Sequence, residues 1–255
     1  MAKTYKNYGL YSKYDIGLAK LFVPLKRECQ QISAQIKDVV SFASETDFGV
    51  TEAELTRLHD NLVDVLKQIH ALTPFNYTKF SRYANRLFEN TVNTVIKNPF
   101  LLDCVQHFDN LQLSTKQLFG QILFSQMANL YNQDHGNATS LFFIANDNPA
   151  VKAYYDSKHT IVFQQRVCTE NCDIENFIQM FAHEFSHYLY IQCPNKTDVN
   201  AQQAYIIKYG YIYELEGEEY CQQPFERPSY EMSLYFKQRN FVQTVVDRLL
   251  DKKQK

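Results

Sequence analysis

The stretch QMFAHEFSHYLYI, residues 179–191, sets three ionisable side chains into an otherwise uncharged, largely apolar run. A run of this kind is buried in a folded protein, and burying two imidazoles and a carboxylate without partners is expensive. The fold must therefore bring His183, Glu184 and His187 their partners. On a helix, positions i and i+4 share one face a single turn apart, so His183 and His187 can aim two nitrogens at one divalent ion. Glu184 is rotated by one residue, which sets its carboxylate beside the donor pair instead of within it. Two neutral nitrogen ligands and one carboxylate able to take a proton from water make up the chemistry of the HExxH pattern, with zinc as the favoured metal. The plainer alternative is an ordinary helix whose histidines pack between aromatics, with Glu184 paired to a lysine or arginine.

The chain before this stretch reads as helical. Leu25, Cys29, Ile32, Ile36 and Val39 recur on one face of a segment covering roughly 19–43. Thr51 and Glu54 form a candidate capping box for a second helix with the stripe Leu55, Leu58, Leu62, Leu66 and Ile69. A third helix, about 78–97, carries Phe80, Ala84, Leu87, Phe88, Val92 and Val95 and stops before Pro99. Ser114 and Gln117 offer another capping box, ahead of LFGQILFSQMANLY. Residues 19–132 are thus expected to form a helical, bundle-like portion.

After Gly136 the pattern changes. TSLFFIA (139–145) and HTIVFQQRV (159–167) are short and rich in aromatic and β-branched residues, so they read as strands, with a third piece near VKAYY. The helix bearing the histidines is expected to begin near 171–173 and to end before Pro194, with Asp173 and Glu175 placed where the helix dipole favours acids. The expected fold is α+β: a single domain, 1–255, with a helical subdomain over 19–132 packed on a catalytic subdomain over 137–255.

Composition narrows the partners. With 45% hydrophobic residues and only 21% charged, the chain has ample surface to bury, and a formal charge of −2 without a basic stripe argues against nucleic acid. No apolar run reaches the length of a bilayer span, so no membrane partner is expected. The N-terminus MAKTYKNYGLYSKYDIG lacks the apolar core of a secretory signal, and six cysteines form no CxxC pair. A cytoplasmic location, or export by a route independent of a signal peptide, follows as the expectation.

HEFSH with its uncharged flanks, preceded by a short sheet, resembles the active-site region of the zincin metallopeptidases. The resemblance covers about 139–191 and identifies a superfamily more than a family. It implies a zinc-dependent peptidase, with a peptide or protein as substrate. It also implies a strand at the sheet edge that pairs with the bound peptide, a role that analogy gives to TIVFQQ.

Catalytic zinc sites use three protein ligands. Tyr190 and Cys193 stand where the longer metzincin pattern has Gly and His, so the resemblance leans to the glutamate-ligand, gluzincin-like branch. Glu231 in ERPSYEMSLYF is the preferred third ligand. It resembles the Pro-x-Tyr-Glu entry into the last helix of compact zincin-like proteins, Pro228 suits a first helical turn, and Glu231 shares a stripe with Tyr235, Gln238, Val242, Val245 and Leu249. Glu214, Glu216, Glu218 and Glu219 are the second choice, although such a charged run is commonly a solvated face. Glu226, Asp198, Cys193 and Cys221 complete the candidates. For a hydroxyl that stabilises an oxyanion, Tyr205, Tyr209, Tyr211, Tyr213 and Tyr230 are all open.

The expected function is hydrolysis of peptide bonds by metal-activated water, endopeptidase in type, with Glu184 as general base and His183, His187 and Glu231 as ligands. The rival is a protein-interaction module built on the helical half, with a structural or degenerate metal site.

Overall fold

The computed structural model describes residues 15–43, 48–72, 75–131, 140–145, 153–156, 160–168, 172–193, 197, 211, 215 and 217–253. The chain divides into two compact units, one formed by Met1–Asn76 and Val199–Arg227, the other by Tyr77–Asp198 and Pro228–Lys255.

In the first unit, α1 (Asp15–Ala43) packs on α2 (Phe48–Leu72). The expected stripes meet in the core, where Cys29 and Ile32 of α1 face Leu58, Leu62, Leu66 and Ile69 of α2; Phe22, Val65 and Leu215 join them, and Leu25, Ile36 and Val39 pack partly buried against the cluster. Tyr220, on the short helix α7 (Gly217–Gln222), packs against the same cluster. The imidazole of His70, in the last turn of α2, lies with Nε2 2.6 Å from the Gln222 carbonyl and donates to it. Helix α2 starts at Phe48, so Thr51 and Glu54 fall inside it; a capping pair marks a helix start only where the preceding backbone leaves the helix.

The second unit opens with α3 (Tyr77–Lys97), whose buried face is the expected one. It ends before Pro99, and the chain turns at once into α4 (Pro99–His107), a helix the hydrophobic pattern did not announce. Asn98 Oδ1 accepts from Phe100 N and Leu101 N at 3.0 and 3.2 Å, and Pro99 takes the first helical position, where its missing N–H costs nothing. Next comes α5 (Leu113–Tyr131), two residues longer at its start than the Ser114 cap implied once Gln112 is counted as the flanking residue: the Gln112 carbonyl accepts from Thr115 N and Lys116 N.

Three strands follow: β1 (Ser140–Ile144), β2 (Ala153–Asp156) and β3 (Thr160–Gln164), in the order β1-β3-β2. β3 pairs parallel with β1, Ser140 opposite Thr160, and antiparallel with β2, Asp156 opposite Thr160. The strand within TIVFQQ is therefore central, and the expectation that it forms the sheet edge is corrected. Both its sides are occupied by backbone partners, and Ile161, Val162, Phe163 and Gln164 are all buried.

Helix α6 (Ile174–Gln192) carries the HEFSH residues and packs against β2 and β3. Asp173 caps it, with Oδ1 accepting from Asn176 N at 2.7 Å. The chain ends with α8 (Arg227–Arg239) and α9 (Phe241–Lys253), separated by Asn240 at φ 49°. That break cuts the stripe expected to run from Glu231 to Leu249. Glu175, in the first turn of α6, reaches across to cap α9: its carboxylate accepts from Phe241 N at 3.2 Å and Val242 N at 2.7 Å.

The architecture is α+β, a series of helices followed by a small three-stranded sheet and the histidine-bearing helix. Among the described residues no helix is long and apolar enough to cross a membrane. None of the six cysteines is in a disulfide.

Candidate metal centre

The rotation of α6 about its axis is set by aromatic packing. The Phe177 ring sits 5.4–5.6 Å from the rings of Phe108, Phe119 and Phe163. About two turns on, Phe185 meets Phe124 and Tyr131, and about three and a half turns on, Tyr190 meets Tyr83. Each such ring contributes about 1.5–3 kcal/mol by burial, so the helix has little freedom to turn. This leaves one more open stripe, Asn176, Gln179, Met180 and His183. His183 lies at the end of that stripe, and His187 lies one turn deeper at 2% exposure.

The two Nε2 atoms of His183 and His187 approach to 3.2 Å, with ring planes 77° apart. A tetrahedral ion bound at about 2.0–2.1 Å from each nitrogen sets them about 3.3–3.4 Å apart, so the pair is spaced for joint ligation. On its other side, His187 Nδ1 lies 3.1 Å from Ser229 Oγ. Placing the proton on Nδ1, where it is donated to Ser229, leaves the Nε2 lone pair for a metal.

Glu226, 2% exposed, completes the group: the ligand atoms of His183, His187 and Glu226 all lie within 4.8 Å of one another. Among the described residues it is the one cluster of this kind. A turn places Glu226 there, since Gln223 O accepts from both Glu226 N and Arg227 N just before α8 begins. Tyr220 donates its hydroxyl to Glu226 Oε1 at 2.8 Å. Burial, reinforced by the Glu226 carboxylate, pushes the phenol far above its ordinary pKa and keeps it a donor. The donor set of two imidazoles and a carboxylate fits zinc.

The spacing is that of a gluzincin metal site: HExxH with a downstream glutamate. No protein-family model, characterised protein or solved structure matches the chain.

Of the residues expected in the site, His183 and His187 come together and Glu184 lies on the same helix, 6% exposed. Glu231 is not in the cluster and is partly exposed. The buried face of α8 is Pro228, Ser229, Met232 and Phe236, and Glu231 stands about 200° round the helix from Ser229. Glu214, Glu216 and Asp198 lie outside the described residues, as do the side chains of Glu218 and Glu219 and the tyrosines 205, 209 and 213. Neither Cys193 nor Cys221 joins the donor group.

Ser229 and Tyr220 were not singled out by the sequence. The signal for Ser229 was local. Pro228 marks the start of α8, and the apolar stripe Met232 and Phe236, continued one turn back, passes through Ser229.

Proposed function

We propose that the protein is a zinc-dependent metallopeptidase in which His183, His187 and Glu226 hold the metal and Glu184 is the general base. Glu226 replaces Glu231 as the third ligand in this reading. The observation that carries it is the convergence of three donors, two of them 3.2 Å apart, into a group with no fourth protein donor among the described residues. Catalytic zinc sites hold three protein ligands and an open position, whereas structural sites close with a fourth.

When bound, the cation supplies Lewis acidity, lowering the pKa of water and polarising a carbonyl. The remaining work falls to the chain. Ser229 holds the His187 ring in the tautomer that keeps Nε2 bare, and Glu226 adds the negative charge that favours a divalent ion. Glu184 accepts a proton from the attacking water at a carboxylate oxygen and delivers it to the nitrogen of the leaving amine. With β3 central, the pairing edge for an extended peptide passes to β2 (Ala153–Asp156), the antiparallel strand that is outermost among the described residues and packs against α6.

The test compares wild type with Glu184→Gln, measuring zinc content and cleavage of a peptide pool. Equal zinc and a loss of cleavage of about 10²–10⁴-fold are expected. Bound zinc with no difference in cleavage would favour the interaction module with a structural or degenerate metal site.

A further inference from the structure

Resting on that reading of the metal centre, we propose that Tyr220 is a positioning residue that fixes Glu226 as the third ligand. A glutamate side chain has three rotatable bonds, and a ligand is effective only when its oxygen waits where the metal arrives. The hydroxyl of Tyr220 holds Glu226 Oε1 at 2.8 Å, and the carboxylate is 2% exposed, so water does not compete for that oxygen. Tyr220 is itself held by packing. Its ring meets Tyr211 edge-on at 6.2 Å, Tyr211 meets Phe225 at 5.3 Å, and Tyr220 rests against the apolar cluster shared by α1 and α2.

Within the first unit, the α1 and α2 core braces Tyr220, and Tyr220 aims the Glu226 carboxylate. A tyrosine six positions before a ligand, on a short separate helix, is recognisable only once the turn at 223–226 has brought the two together.

The experiment measures zinc affinity by competition with a chromophoric chelator for the full-length wild type, Tyr220→Phe and Glu226→Gln. It adds the visible absorption of each protein with cobalt(II) in place of zinc, and the urea midpoint of each without metal. Removing a partner that supports a ligand typically weakens metal binding 10–100-fold. Tyr220→Phe, which keeps the ring and its packing, is expected to weaken zinc about tenfold and to alter the cobalt spectrum. Glu226→Gln should weaken zinc further. A merely structural tyrosine would lower the metal-free midpoint and leave zinc affinity and the cobalt spectrum unmoved. If Glu226→Gln is impaired while Tyr220→Phe binds zinc and cobalt as wild type does, the role of Tyr220 is overturned and the metal centre stands. If wild type takes up no zinc, or Glu226→Gln binds it unchanged, the ligand assignment fails and the role of Tyr220 fails with it.

Discussion

Ser229 Oγ lies 3.1 Å from His187 Nδ1, across a sequence separation of 42 residues, and Ser229 has no solvent exposure. The serine is therefore a fixed partner for the far side of a ring whose near side faces His183. Ser229→Ala would leave a buried N–H without its acceptor, at a cost of about 1–3 kcal/mol, and would free the ring to turn. The expected result is zinc binding weaker by roughly tenfold, read by chelator competition. Ser229→Thr, which keeps the hydroxyl, should retain more of the affinity than alanine does.

Glu175 joins the start of α6 to the start of α9 through two backbone N–H groups. Asn240 Oδ1 caps the same helix from within, accepting from Gln243 N at 3.2 Å, so Glu175→Ala removes only part of the capping. A loss of about 1–2 kcal/mol is expected, measured by urea unfolding, with Glu175→Gln intermediate because it keeps one acceptor.

Gly120 lets α5 approach its neighbours closely. A Cβ built there would lie 2.9 Å from Phe177 Cζ and 3.0 Å from Phe143 Cζ. Alanine gains about 1 kcal/mol in helix propensity, while overpacking costs about 1–3 kcal/mol. Overpacking wins here, because Phe177 is wedged among Phe108, Phe119 and Phe163 and has nowhere to retreat. Gly120→Ala is therefore expected to lower the unfolding midpoint.

What the sequence displayed and what it hid divide by range. The donor pair was legible because i and i+4 are neighbours on any helix, and α6 itself was legible from its Asp173 cap and its apolar length. The third member of the cluster was not: Glu226 sits on the turn just before α8, and whether Glu231 could join the histidines instead depends on which face of α8 is buried. The stripe through Glu231 and Tyr235 and the stripe through Ser229, Met232 and Phe236 both have helical period, and only packing chooses between them. Extending the first stripe past Asn240 added false support, since the positive φ there starts a new helix. Strand order was equally hidden: β1 and β3 pair in parallel with β2 on the far side, an arrangement that no local pattern specifies. Helix α4 is hidden for a different reason: Asn98 followed by Pro99 is a readable start signal, but nine residues are too few to display a clear hydrophobic period.

His70 supplies a pH dependence for the first unit. Its pKa is lowered, chiefly by burial and also by Arg227, with the Gln222 carbonyl acting in the opposite sense. The unfolded chain therefore takes up a proton at a higher pH than the folded one. The stability contributed by neutral His70 is full above the unfolded value, about 6.5, and is lost as pH falls through the folded pKa. In metal-free protein, the fall in unfolding free energy between neutral pH and pH 5 should be shallower for His70→Gln than for wild type, measured by urea titration at each pH.

The assignment of His183, His187 and Glu226 as the donors is tested most directly by the zinc dissociation constants of Glu226→Gln and Glu231→Gln, measured side by side with wild type. The predicted result is a loss beyond the roughly 10–100-fold of a supporting partner for Glu226→Gln, and affinity within about twofold of wild type for Glu231→Gln. The reverse order, or unchanged zinc binding in both variants, would contradict it.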